Sequence, residues 1–187
     1  AALTTRAARD GEEYVLNGVK QFISGAGSSS FYIVMARTAD TGNRGITAIV
    51  VPGDTPGLSF GPNEKKMGWN AQPTRQVSFD NVRVPIANRL GEEGSGFGIA
   101  MKGLNGGRIN MGACSLGGGQ TALDKSVAYL KEREAFGGPL INQQALLFQL
   151  ADMETELVTA RTLLWRAADA LDRGAPDVVK LRAMAKR

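Results

Sequence analysis

The sequence predicts an α+β chain: an antiparallel β-barrel or sandwich over residues 1–92, then long helices of a bundle over residues 93–187. Three observations carry this. The first half holds short apolar runs at strand spacing, bounded by Gly, Pro, Asn and Asp. The second half holds an apolar stripe of helical period, Leu146, Leu150, Met153, Leu157, Leu164, Ala168 and Leu171, with Ala160 filling the gap. Between them runs a glycine-dense stretch, Gly94 to Gly137, where the period changes.

The elements follow in order. Glu13 to Ile23 reads as a hairpin, with β-prone runs flanking Asn17-Gly18 as a type I′ turn. Ser24 to Ser30 is a small, polar loop. Phe31–Arg37 and Ile46–Val51 are strands, separated by turn residues 38–44 and closed by Pro52. Residues 57–60 are short and extended. Arg75 to Phe79 alternates by two, and Asp80-Asn81 reads as a turn into Val82 to Pro85. Such spacing argues for a sandwich or small barrel rather than βαβ units. The stretch from Phe97 to Leu130 reads as one long helix, kinked near Gly106-Gly107, although interior glycines each cost about 0.5–1 kcal/mol. Gly174-Ala-Pro176 ends the following helix, and another starts at Asp177. Long helices joined by short loops pack as antiparallel neighbours.

Composition narrows the chemistry. The 187 residues contain no histidine, which removes Ser-His and Cys-His catalysis and most zinc sites. A single cysteine, Cys114, excludes an internal disulfide and points to a reducing compartment. Set among small apolar residues, it reads as a packed, inert thiol. A net charge of +4 with both signs interspersed is no nucleic-acid footprint. No stretch approaches the ~20 apolar residues of a membrane span. Both ends read as cut, so the chain is expected to be an internal fragment.

Several constellations have a functional and a plain reading. Gly25-Ala-Gly-Ser-Ser-Ser30 resembles a phosphate-cradling loop, but it lacks a following Lys-Ser/Thr and helix; the residues favour a simple connection. Glu92-Glu93 reads as the acidic opening of a helix, and Glu64-Lys65-Lys66 as a solvated face. Arg108, within an apolar run, calls for a partner, either a structural ion pair or a ligand. Arg133, Phe136, Gln143 and Gln144 put a guanidinium, an aromatic ring and amides close in sequence, a combination able to hold a pyrophosphate.

In order along the chain, Tyr14-Val-Leu-Asn-Gly-Val-Lys20, Phe22-Ile-Ser24, Lys65-Lys-Met-Gly-Trp69, Phe79-Asp-Asn-Val-Arg-Val-Pro85, Asn88-Arg-Leu-Gly-Glu-Glu-Gly-Ser-Gly-Phe97, Gly106-Gly-Arg108, Arg133-Glu-Ala-Phe-Gly137 and Leu150-Ala-Asp-Met153 resemble the acyl-CoA dehydrogenase family. Gly68-Trp-Asn-Ala-Gln-Pro-Thr74 and Leu104-Asn-Gly-Gly-Arg-Ile-Asn110 place the resemblance nearest its isobutyryl-CoA (short branched-chain) branch. The resemblance implies a middle β-domain followed by the first helices of an up-down four-helix bundle. It implies FAD as cofactor, an acyl-CoA substrate, α,β-dehydrogenation, and an electron-transferring flavoprotein as electron acceptor. It also implies a homo-oligomer, usually a tetramer, in the cytoplasm of a bacterium or the mitochondrial matrix of a eukaryote. An oxidase or flavin monooxygenase relative, or a non-enzymatic interaction module, remain as alternatives.

By resemblance, Phe22, Ile23 and Ser24 match the segment against the flavin ring, with Phe22 where most members have tryptophan. Asn105, Gly106, Gly107 and Arg108 match the region lining the acyl-CoA site. Arg133, Phe136, Gln143 and Gln144 match residues reaching the adenine-diphosphate end of a neighbouring subunit's FAD. The base is expected beyond Arg187 in most members. A minority place it just before the bundle arginine, where this chain has Gly107. No catalytic residue is therefore assigned within the chain, and the isolated chain is expected to be inactive.

Overall fold

The computed structural model describes residues 2–187. The chain divides into two compact units, Ala1–Met101 and Lys102–Arg187.

The first unit is built on one seven-stranded sheet. Its strands are β1 (Arg6–Asp10), β2 (Glu13–Ser24), β3 (Phe31–Arg37), β4 (Ile46–Pro52), β5 (Leu58–Phe60), β6 (Thr74–Pro85) and β7 (Arg89–Leu90). The sheet order is β5-β6-β2-β1-β3-β4-β7. Every pairing is antiparallel except the single parallel bridge between Arg6 of β1 and Arg37 of β3. Alternation explains the core: Tyr14 and Leu16 on β2, and Tyr32, Val34 and Ala36 on β3, point inward and are buried.

Two expected turns are instead one bulge. Residues 13–24 form a single strand, and the hairpin closes at Gly11-Glu12, where Asp10 pairs with Glu13. Asp80-Asn81 likewise lies inside the continuous strand β6. Between β2 and β6 the register moves from Leu16↔Val82 to Gly18↔Phe79, so β6 carries one extra residue. Asn17 faces Asn81 across this point; Asn81 N donates to Asn17 Oδ1 at 2.9 Å, and Asn17 Nδ2 donates to Asn81 Oδ1 at 3.2 Å. Asn81 takes the left-handed backbone, with φ 52°, that asparagine tolerates. The extra residue also shifts the phase of burial, from Val77 and Phe79 to Val82 and Val84, keeping one face of β6 in the core throughout. At Gly18 (φ 134°) a β-carbon would lie 2.8 Å from Thr5 Cα, so the backbones approach too closely for any side chain there.

The helical elements are α1 (Gly96–Glu132), a two-strand ribbon of β8 (Glu134–Ala135) and β9 (Gly138–Pro139), α2 (Gln144–Asp172) and α3 (Val178–Lys186). The glycine-dense stretch is thus helical from Gly96 through Glu132. Glu92 and Glu93 do not open it; they precede α1 in a turn where Glu92 O accepts from Ser95 N and Oγ. In the second unit Ala167, Ala170 and Leu181 form the buried centre, with Ile109, Leu163 and Val178 packed around it. The stripe on α2 is graded: Leu164 is buried, while Met153 is 48% exposed. Cys114 is exposed, contrary to the packed position expected from its small, apolar neighbours in sequence.

Candidate functional site

In the first unit the site-bearing residues lie at the end of β2. The pairing jumps from Lys20↔Val77 to Ile23↔Arg75, so a second bulge places an extra residue on β2. That bulge puts Phe22 in the left-handed region (φ 58°) and leaves its ring 69% exposed. A phenylalanine held this way costs roughly 1–2 kcal/mol. Ile23 turns back to pack on the sheet core. Ser24 pairs with Thr74 and borders a groove of about 470 Å³, together with Lys20, Ile23, Phe31 and Met35.

Lys20 is the cation of this groove. Its Nζ donates to Met35 O at 2.7 Å. Partial burial strips water from the ammonium and holds its pKa below the ordinary lysine value. Nothing in the local sequence marks Lys20. Its position follows from the strand β3 that lies across from it.

In the second unit Asn105, Gly106, Gly107 and Arg108 occupy successive positions of α1. Arg108 Nη1 donates to Asn105 Oδ1 at 2.9 Å, an (i, i+3) contact on one helix face. Among the described residues Arg108 makes no ion pair, so its remaining donors are available. A β-carbon at Gly106 or Gly107 would meet nothing within 4 Å. The glycines therefore leave backbone open to approach beside a guanidinium and an amide.

The connection from α1 to α2 gathers Arg133, Phe136, Gln143 and Gln144. Arg133 follows the last residue of α1, and its backbone is fixed by Arg133 N→Tyr129 O (2.9 Å) and Leu140 N→Arg133 O (2.8 Å). Phe136 and Gly137 form the two-residue turn between β8 and β9, both with positive φ (53° and 87°), the type I′ signature. Glycine suits its place in that turn; Phe136 is strained, and its ring is 88% exposed. Gln143 immediately precedes α2, and Gln144 is its first residue. The positive end of a 29-residue helix thus stands with two amides close in sequence to Arg133.

The two aromatic positions share one device: a bulky ring on a left-handed backbone, aimed at solvent. Each sits close in sequence to hydrogen-bonding side chains. Within the second unit, Phe136 with Arg133, Gln143 and Gln144 suits a ligand with a flat aromatic part and a polyanionic part; within the first, Phe22 offers a ring face beside the Ser24 hydroxyl. The Gly25–Ser30 loop offers less. The amides of residues 25–29 are satisfied within the unit, for example Ser28 N→Gly25 O (3.0 Å) and Gly27 N→Tyr32 Oη (2.8 Å), so the loop serves as a connection. No cluster of three metal-ligating side chains occurs among the described residues. No described helix is long and apolar enough to cross a membrane.

Comparison with known proteins gives a consistent result. The profile "Acyl-CoA dehydrogenase, C-terminal domain" matches residues 94–187, and "Acyl-CoA dehydrogenase, middle domain" matches residues 1–82. Mitochondrial isobutyryl-CoA dehydrogenase from Bos taurus is 53% identical over 186 residues, covering 100% of this chain and 45% of that protein. Its counterpart from Dictyostelium discoideum is 51% identical over 186 residues, covering 99% of this chain and 45% of that protein. Among solved structures, butyryl-CoA dehydrogenase from Megasphaera elsdenii superposes with a TM-score of 0.93 at 42% identity, over 97% of this chain and 48% of that one. The chain spans about half the length of the curated relatives it matches.

Proposed function

This chain belongs to the acyl-CoA dehydrogenase family, and we propose that its parent protein removes two hydrogens from the α,β bond of a short, branched acyl-CoA thioester. The observation that carries the reading is the 53% identity to a mitochondrial isobutyryl-CoA dehydrogenase, sustained over 100% of the chain. The groove beside Ser24, the exposed Phe22 and Phe136 rings, and the donors of Arg133, Gln143 and Gln144 suit FAD: stacking surface for a flat ring, and positive charge with amides for a diphosphate. FAD, when bound, supplies the acceptor for the hydride leaving the β-carbon.

The chain's own residues bind and orient. Phe22 offers a ring face, Ile23 anchors that strand end in the core, and Ser24 presents a hydroxyl beside it. Arg133, Phe136, Gln143 and Gln144 hold the adenine-diphosphate end, in the reading of a neighbouring subunit's cofactor. Asn105, Gly106, Gly107 and Arg108 line the thioester's path: the glycines admit it closely, and the Asn105–Arg108 pair fixes the donor geometry. The α-proton requires a carboxylate base, and Gly107 occupies the one position in this chain where some family members carry it. The base therefore comes from the remainder of the parent. An oligomer, with a tetramer as the expected form, follows from the shared cofactor site. An electron-transferring flavoprotein is the proposed acceptor for the electrons, in a bacterial cytoplasm or a mitochondrial matrix.

The test is anaerobic titration of the flavin-loaded parent with isobutyryl-CoA. Bleaching of the flavin absorbance is expected, and the 187-residue chain by itself is expected to give none. A yellow parent that no short acyl-CoA bleaches would overturn the reading.

A further inference from the structure

Among the described residues, Arg182 is the one buried charged side chain, 7% exposed on α3. A guanidinium does not shed its proton on burial, so this charge persists inside the helical unit. Its Nε is fully buried and has no hydrogen-bond acceptor. The two terminal nitrogens make no hydrogen bond or ion pair among the described residues, and unlike Nε they keep some contact with solvent. Asp177, the nearest acid in sequence, forms no ion pair with it. Removing an ion from water is costly unless a counter-charge and hydrogen bonds replace the water. Nothing within these residues supplies either.

The sequence of α3 indicates what would. Leu181 turns into the core with Val178 and Ala185, which places Arg182 at the border of that packed face. Lys180, Arg182 and Lys186 lie on α3, Arg187 follows, and residues 178–187 contain no acid. Val179, one turn before Arg182, is an exposed apolar side chain. The helix thus offers a run of cations, an apolar contact and a guanidinium fork whose open end faces outward. A carboxylate meets such a fork with two parallel hydrogen bonds and cancels its charge.

We propose that an acidic segment of the parent polypeptide outside these 187 residues docks on α3, with one Asp or Glu carboxylate closing on the terminal nitrogens of Arg182. The relatives are about twice the length of this chain, so a parent of their length has the polypeptide to supply it. The inference rests on the proposed parent enzyme. Flavin bleaching by isobutyryl-CoA reports that reading separately, so a parent that bleaches but fails the test below loses only this inference.

The test is one substitution in two settings, read by calorimetry. In the 187-residue chain, Arg182→Met should raise the thermal midpoint by about 5 °C, because an apolar side chain replaces an uncompensated buried charge. In the parent the same substitution should lower the midpoint by about 5 °C, because a carboxylate then loses its cation. Arg182→Lys should recover part of that loss. Replacing the parent's other Asp and Glu residues one at a time by Asn and Gln should find the partner: its loss is not additive with Arg182→Met. Three results overturn the proposal. Arg182→Met destabilises the isolated chain, or it leaves the parent unchanged or more stable, or the isolated chain forms a dimer that Arg182→Met abolishes, which assigns the fork to a second copy.

Discussion

The two units solve the problem of a core differently. The sheet unit encloses its own: thirteen buried side chains, from Ala7 to Val84, contributed by β1, β2, β3, β4, β6 and the residue 24–30 loop. The helical unit's buried cluster is small, Ala167, Ala170 and Leu181, with Leu123 and Leu164 buried apart from it. On its long helices, Tyr129, Phe148 and Trp165 are 59%, 62% and 68% exposed. These long helices thus leave large apolar side chains open to solvent. The candidate site residues of the two units therefore rest on unlike supports. Phe22 is presented by a strand locked into a closed core, whereas Arg133, Phe136 and the two glutamines sit on a connection between helices that still expose apolar faces.

Substitutions in the two units should differ in cost accordingly. The largest effect is expected at Leu16→Ala, which empties a fully buried position of the sheet and should cost about 2–5 kcal/mol. Phe148→Ala, on the open helix face, should stay within about 0.5 kcal/mol. Trp69 and Trp165 lie in different units, so single-tryptophan variants in a urea titration report each unit separately. Equal costs at the two sites would erase the contrast.

Within the helices, Gly112 and Gly106 should respond with opposite sign. A β-carbon at Gly112 would lie 2.8 Å from both Ala185 O and Leu164 Cδ1. Gly112→Ala should therefore destabilise by about 1–3 kcal/mol despite its better helix propensity. Gly106→Ala, where the space is open, should stabilise by about 0.5–1 kcal/mol. The denaturation midpoints decide it.

The smallest expected effect lies in the pH dependence at Lys20. Burial lowers its folded pKa below the unfolded value of 10.5, so between these two values the unfolded state binds the extra proton. Stability should consequently rise with pH through that window, as the desolvation penalty on the ammonium is released. Lys20→Met should flatten this rise in chemical denaturation curves. A wild-type curve that falls through the same window would contradict the sign.

Much of the fold was legible because it is locally encoded. The expected runs Phe31–Arg37 and Ile46–Val51 match the observed strands to within one residue, and Gly174 and Pro176 end α2 as their chemistry requires. Asn17-Gly18 and Asp80-Asn81 misled because the same residues serve a type I′ turn and a bulge. Only the pairing partner distinguishes the two, and here each is the other's partner. Cys114 misled for a related reason: small neighbours in sequence do not determine which helix face is covered. The candidate site divides the same way. Its Phe22-Ile-Ser24 and Arg133–Gln144 segments were found by motif resemblance, while the strained backbones at Phe22 and Phe136 and the groove cation Lys20 emerged only in three dimensions.

We propose that the α1–α2 connection holds the diphosphate end of FAD, and flavin retention in one variant decides it. The parent carrying Arg133→Gln should lose FAD on dialysis, with affinity reduced at least about tenfold, while its far-ultraviolet circular dichroism stays unchanged. Full flavin content with unaltered affinity in that variant would show that the diphosphate is held elsewhere.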